Sequence, residues 1–121
     1  MIRALGVLAV LGMVAALFVG GSQPAAAGLF AAPWDKLAHV GFFMALSLLL
    51  FNTLPGPWWL AVLVAVLVGV GDEWHQLSLP GRQAGLDDVL ADAVGALLAA
   101  GLHAWMRQRA LKQANFQTNP N

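Results

Sequence analysis

Four long apolar stretches, separated by short polar or proline-rich segments, constrain this sequence more than any other feature. They cover residues 4–21, 37–54, 58–71 and 89–106 of a 121-residue chain. A helix that crosses a bilayer needs roughly 20 mostly apolar residues, with a range of about 17 to 25. Three stretches have that length, and the third reaches it if residues 72–76 complete its last turn. The pattern predicts an all-α integral membrane bundle of four transmembrane helices.

The low charge content agrees with a lipid bilayer as the surrounding medium. Sixty per cent of the residues are hydrophobic and 10% are charged, whereas a soluble domain usually carries about 25% charged residues. The formal net charge of zero argues against a nucleic-acid partner, which is normally held through its phosphates. The absence of cysteine excludes disulfides and thiolate chemistry.

Helix-breaking residues divide the chain between these stretches. Residues 22–33 are rich in Gly, Ala and Pro, and Pro and Gly also occupy residues 55–57 and 80–81, as is typical of loops. The five tryptophans fall near the ends of the predicted helices, where indole rings form an aromatic belt. We therefore expect three segments: a first transmembrane helix or signal-like anchor at 1–21, three transmembrane helices at 34–106, and a polar cytoplasmic tail at 107–121.

The N-terminal stretch has a second interpretation, as a cleaved secretory signal peptide. Arg3, the apolar run and the small residues Ala25, Ala26 and Ala27 fit that pattern. The run of roughly 18 residues is longer than the about 7 to 15 of a signal peptide's apolar region, which favours retention. Cleavage of residues 1–27 would leave three helices in the same orientation.

The basic residues are distributed unevenly between the two sides of the predicted bundle. Four of the six lie near the termini, which an even number of helices places on one side; these are Arg3, Arg107, Arg109 and Lys112, against Lys36 and Arg82 on the other side. Because cytoplasmic loops carry the excess of Lys and Arg, we expect both termini to be cytoplasmic. All six acids then lie at or near the outer face.

Three helix ends on that acidic side carry polar stripes. Residues spaced three or four apart share a helix face, and charged groups within a bilayer are costly unless they turn inward and pair. We therefore expect the stripes to converge, with Arg82 as counter-ion for Glu73 or Asp88. The candidate ligand-binding residues are Asp35, His39, Glu73, Gln76, Arg82, Asp88 and Asp92.

Three functions are compatible with such a cluster. An arginine beside carboxylates and a histidine suits the polar head of a lipid or lipid-linked molecule. His39, Glu73 and Asp88 are the candidates for general acid–base catalysis, so the sequence leaves enzyme activity open. The same residues also serve as interhelical glue or helix caps, as at Asp35 and Asp87.

The sequence predicts neither a cofactor nor a metal site. A site from His39, Asp72, Glu73 and His75 matches no metal-ligand spacing, and no phosphate-binding glycine loop or nucleophile elbow is present. Ala91, Gly95 and Ala99 recur every four residues, which predicts a close helix contact.

Three blocks of residues resemble the VanZ-like family of bacterial membrane proteins. They are Asp35-Lys36-Leu37-Ala38-His39 followed by Phe42 and Phe43, then Glu73-Trp74-His75-Gln76 running into Pro80-Gly81-Arg82, and Asp88-Val89-Leu90-Ala91-Asp92 followed by Gly95. The resemblance covers about residues 34–101. Relatives often carry Tyr near Phe43, Ser or Asp at Gly85 and Asn at Asp92.

The resemblance implies a multi-pass protein of the bacterial cytoplasmic (inner) membrane, in a family named for a member associated with teicoplanin resistance. It supplies no biochemical mechanism. From residues and resemblance together, we expect a cell-envelope protein that binds a polar or anionic component, such as a lipid or lipid-linked precursor. The alternatives are a membrane enzyme acting on a lipid-linked substrate and a structural or partner-binding module.

Overall fold

The computed structural model describes residues 1–118, in which every regular element is helical. Four helices are long and apolar enough to cross a membrane, which confirms the predicted fold class. The elements are α1 (Ile2–Ala15, prolonged by the π-helical segment Ala16–Gly20), a 3₁₀ turn (Pro24–Ala26), α2 (Trp34–Thr53), α3 (Trp58–Gln76) and α4 (Leu86–Thr118).

The helix boundaries follow the sequence pattern, except at the C-terminal end of α4. Helix α3 includes residues 72–76, as predicted. Helix α4 continues past residue 106 to Thr118, so its 33 residues are about 50 Å long, whereas the bilayer core is about 30 Å thick. The polar segment predicted at 107–121 is thus helical as far as Thr118, and residues 119–121 lie outside the described range.

Proline and glycine separate the helices, as expected. Pro57 occupies the N-cap position of α3, where its missing N–H leaves no helical hydrogen bond unmade. Gly81, in the turn before α4, has a φ of 74°, a left-handed conformation that favours glycine. These breaks let consecutive helices run antiparallel through short connections.

The core lies where α2, α3 and α4 meet. Its fully buried residues are Phe43, Leu46, Leu50, Ala61, Ala65 and Ala96. Helix α1 contributes no fully buried residue, although Val10, Met13, Val14 and Leu17 pack against this core. The three C-terminal helices therefore form the compact unit, with α1 on its outside.

The small-residue stripe of α4 forms a close helix contact, as predicted. Ala91, Gly95 and Ala99 are all buried. A Cβ added at Gly95 would overlap the backbone carbonyl oxygen of Val40 and crowd the backbone nitrogen of Met44. The backbones of α2 and α4 therefore approach so closely that only glycine fits at residue 95.

We expect the substitution Gly95→Leu to destabilise the bundle by at least about 1 kcal/mol, because overpacking a close contact typically costs about 1–3 kcal/mol. The matched control is Gly101→Leu on the same helix, since a Cβ at Gly101 meets no atom of residues 1–118 within 4 Å. Thermal unfolding in detergent should show a lower midpoint for the first variant alone. Equal midpoints for the two variants would contradict the close contact.

The apolar surface left uncovered by the bundle suits a lipid environment. Leu63, Leu67, Val70 and Trp74 are all exposed, and their spacing places them on one face of α3. A large exposed apolar face is unfavourable in water, whereas lipid chains cover it. The chain is therefore a membrane protein whose polar groups gather at helix ends.

Candidate functional site

The three predicted polar stripes meet at one end of the bundle. This acidic end consists of the start of α2, the end of α3, the turn that follows it and the start of α4. All six acids of the chain lie there: Asp35, Asp72, Glu73, Asp87, Asp88 and Asp92. The predicted convergence is confirmed by the interhelical contacts described below.

Lys36 is the central cation of the acidic end. Its Nζ lies 2.8 Å from Asp87 Oδ2 and 3.1 Å from Asp35 Oδ2, and it donates a short hydrogen bond to Asp88 Oδ1. The start of α2 is thereby tied to the start of α4. Asp35 and Asp87 are not the helix caps that the sequence suggested. Pro33 holds the N-cap position of α2, and Asp87 lies within the first turn of α4.

The expectation that Arg82 pairs with Glu73 or Asp88 was wrong. Among residues 1–118, no carboxylate oxygen lies within 4.0 Å of its guanidinium nitrogens. Asp88 pairs with Lys36 instead, because Lys36 lies on α2, which packs against α4. Sequence reasoning omitted Lys36 from the site, although the excess of acids over the two bases on this side was a signal for it.

His39 and Asp92 form a second polar contact between α2 and α4. His39 Nδ1 lies 2.7 Å from Asp92 Oδ1, and Asp92 is only 1% exposed. The other ring nitrogen, Nε2, lies 3.8 Å from Asp88 Oδ1. One ring nitrogen of His39 thus contacts Asp92, and the other faces Asp88.

Gly69 makes room for the Asp92 carboxylate. A Cβ at Gly69 would overlap the Asp92 side chain, so α3 can lie against this part of α4 only without a side chain there. Asp92 Oδ2 has no hydrogen-bond partner within the described chain. The carboxylate is therefore enclosed by α3 and anchored by His39 alone.

Helix α3 supplies two buried acids rather than the single one predicted for the site. Gln76 Nε2 donates to Asp72 Oδ2 over 2.8 Å, so this amide group is already hydrogen-bonded within α3. The sequence-based site omitted Asp72. The Gly85 backbone N–H donates to Glu73 Oε2 over 2.8 Å. Glu73 Oε1 is buried and lacks a partner among residues 1–118. Glu73 thus keeps one oxygen uncommitted inside the cluster.

Arg82 lies at the edge of the cluster, beside the loop that follows α1. Its Nη1 donates to the Ala26 carbonyl oxygen over 3.0 Å, while its Nε is buried without a partner in the described chain. The loop contact fixes the side chain. No carboxylate among residues 1–118 forms a salt bridge with it, and Asp72 interacts with its charge only over a longer distance. The arginine therefore has spare capacity for an anion.

A cavity of about 740 Å³ opens beside these groups. One part of its wall is polar and the other apolar. The polar part includes Asp35, His39, Gln76, Arg82 and Asp88, and the apolar part includes Leu17, Leu29, Phe30, Phe42 and Phe43. Glu73 and Asp92 stand behind this wall. Such a cavity has the shape and chemistry to take an amphiphilic molecule.

Neither of the two other histidines forms an ion pair with this cluster within residues 1–118, although His75 lies at the same end of α3. His75 contacts the Phe18 ring, with centroids 5.5 Å apart. His103 stacks on Phe51 at 4.8 Å, near the opposite end of the bundle. His39 is therefore the histidine available to the site.

Comparison with known proteins supports the resemblance carried by the three blocks. No curated protein and no solved structure shows significant similarity to the chain. The family model VanZ/LLP1, however, matches residues 8–107. That range contains most of the first apolar stretch, the whole of the other three, and every residue of the polar cluster described above. The chain is a membrane protein that belongs to the VanZ/LLP1 family.

Proposed function

We propose that this protein binds an anionic amphiphile of the bacterial cell envelope, a lipid or lipid-linked precursor, in the cavity at the acidic end. The observation that carries the proposal is Arg82, a cation in the cavity wall with no carboxylate partner within residues 1–118. An arginine suits phosphate or carboxylate groups because its planar fork donates two parallel hydrogen bonds.

The surrounding charges favour this role for Arg82 over another cation. Lys36 is already shared by Asp35, Asp87 and Asp88, so it has little capacity for a further anion. The apolar wall formed by Leu17, Leu29, Phe30 and Phe42 suits the hydrocarbon part of the same molecule. The polar head group and the hydrocarbon tail of the bound molecule would thus contact adjoining parts of the cavity wall.

The same proposal includes an orientation and a location. With four of six basic residues near the termini, the positive-inside rule places both termini in the cytoplasm and the cavity at the outer face of the inner membrane. Accessibility labelling of single cysteines placed beside Arg82 and Arg109 tests this arrangement. Labelling of both from the same compartment would contradict it. A role in teicoplanin resistance stays a prediction from the family association.

Replacing Arg82 by Ala should weaken amphiphile retention about tenfold, because a hydrogen bond to a charged group contributes about 1.5–3 kcal/mol. The measurement is mass spectrometry of lipids that co-purify with each variant, followed by titration with the lipid identified. Arg107→Ala, near the other end of α4, is the matched control. Equal retention by Arg82→Ala and wild type would contradict the proposal.

Thermal stability separates binding from a purely structural role. If Arg82 only holds the loop through Ala26, Arg82→Ala should lower the unfolding midpoint of lipid-free protein as much as it lowers retention. A binding role predicts a large change in retention with a small change in that midpoint.

A second candidate function is catalysis on a lipid-linked substrate, favoured by the Asp92–His39 contact. A carboxylate on Nδ1 orients the ring and leaves Nε2 to exchange a proton at the cavity. Purified protein should then alter a bound lipid-linked substrate, and His39→Asn should abolish turnover. Binding without any chemical change, across pH and metal conditions, would leave the first proposal alone.

A further inference from the structure

Three side chains from three helices stand close enough to ligate one ion. One ring nitrogen of His39 and one carboxylate oxygen each of Glu73 and Asp88 lie within 4.8 Å of one another. We infer that these three residues form a binding site for a divalent transition-metal cation, with Zn²⁺ as the reference ion. The inference is independent of the proposed function, because Arg82 takes no part in it.

The uncommitted oxygen of Glu73 points to a missing ligand. Glu73 is 6% exposed, and its Oε1 has no hydrogen-bond partner among residues 1–118, although Oε2 accepts from Gly85. Buried polar atoms almost always have a partner, and an unpaired buried carboxylate oxygen is costly. A cation between Glu73, His39 and Asp88 would supply that partner.

His39 is oriented as a metal ligand. Histidines that bind metal ions almost always donate their second ring N–H to a carboxylate or carbonyl, which fixes the tautomer. Asp92 Oδ1 lies 2.7 Å from His39 Nδ1 and fills that role. The lone pair of Nε2 then faces Asp88, whose Oδ1 is 3.8 Å away.

The charges also fit, whereas the spacing requires the three side chains to draw together. Ligand atoms about 2.0–2.2 Å from a tetrahedral Zn²⁺ lie about 3.3–3.6 Å apart. Gaps of up to 4.8 Å must therefore close by as much as about 1.5 Å before all three bind one ion. Two carboxylates balance a divalent charge. Lys36 would release Asp88 Oδ1 while it keeps Asp35 and Asp87.

The donor set selects the kind of ion. One imidazole and two carboxylates suit Zn²⁺, Mn²⁺ or Fe²⁺, whereas Mg²⁺ and Ca²⁺ prefer oxygen ligands alone. Three protein ligands leave a fourth position open, as in catalytic zinc sites. His39 and Asp88 line the cavity, so that position would be accessible to a molecule bound there.

The test is equilibrium dialysis of tag-free, full-length protein in detergent, stripped with a chelator, against Zn²⁺ and then Mn²⁺. Wild type should bind one equivalent. Glu73→Gln, which still accepts from Gly85, and Asp88→Asn should each lose more than 100-fold in affinity. Asp92→Asn should lose about 10- to 100-fold, the usual cost of losing a group that orients a ligand.

Matched controls separate a built site from general metal binding. His75→Ala removes a histidine at the same helix end, and Asp87→Asn removes an exposed acid of the Lys36 cluster. Both should bind Zn²⁺ like wild type. Arg82→Ala should also bind Zn²⁺ like wild type, although its retention of the amphiphile should be weaker. Either proposal can therefore be contradicted without affecting the other.

Two results would overturn the inference. One is wild type without stoichiometric binding of either ion. The other is a monodisperse Glu73→Gln or Asp88→Asn variant that binds as tightly as wild type. If one of these two variants fails to fold, the other and the wild-type stoichiometry still decide the question.

Discussion

The substitution Asp92→Ala should lower the free energy of unfolding by about 2–3 kcal/mol, the upper part of the range for leaving a buried donor without its hydrogen-bond partner. Asp92 is 1% exposed, and its Oδ1 is the hydrogen-bond partner of His39 Nδ1. Truncation leaves the imidazole without that partner and opens a space against α3. Unfolding of purified protein in mixed detergent micelles, followed by tryptophan fluorescence, measures the change.

The matched control is Asp92→Asn, which keeps the volume and an acceptor for the His39 N–H. Its cost should be about 1 kcal/mol, the typical value of one hydrogen bond. If alanine and asparagine at residue 92 cost the same, the contact with His39 contributes nothing measurable. The contact would then be incidental to the stability of the bundle.

The substitution Lys36→Met should lower the free energy of unfolding by about 1.5–3 kcal/mol, because it leaves the largely buried Asp88 carboxylate without its hydrogen-bonded cation. Asp88, whose side chain is 13% exposed, would lose its cation without gaining full hydration, whereas water can solvate Asp87, whose side chain is 67% exposed. The start of α2 would lose its tie to the start of α4. The same unfolding experiment measures this loss.

A double substitution isolates the Lys36–Asp88 contact. If the loss arises from an unpaired carboxylate, Lys36→Met combined with Asp88→Asn should be more stable than Lys36→Met alone. Additive losses would contradict the coupling. Lys112→Met, a lysine on the exposed end of α4, should leave stability almost unchanged.

The helices were predictable because one physical requirement decides them. A bilayer needs about 20 apolar residues per crossing, and the sequence spaces its prolines and glycines between such runs. The length requirement also placed residues 72–76 at the end of α3. The contact at Gly95 was predicted separately, from small residues that recur every four positions. The length of α4 was missed, because its polar extension beyond residue 106 carries no apolar pattern to follow.

The meeting of the polar stripes was predictable, but the choice of partners was not. Spacing within one helix shows which residues share a face, whereas pairing depends on how neighbouring helices rotate and slide. Arg82 and Lys36 are both near acids in the sequence. Only the packing of α2 on α4 decides that Asp88 pairs with Lys36. For the same reason, a metal site with one ligand per helix leaves no spacing pattern to recognise.

The absence of a side chain at Gly69 has a consequence for relatives of this protein. The carboxylate of Asp92 occupies the space that a methyl group on α3 would fill. Family members with alanine or serine at that α3 position should therefore carry a smaller residue opposite it on α4, or hold the two helices farther apart. Paired exchange at these two positions would be visible in an alignment of the family.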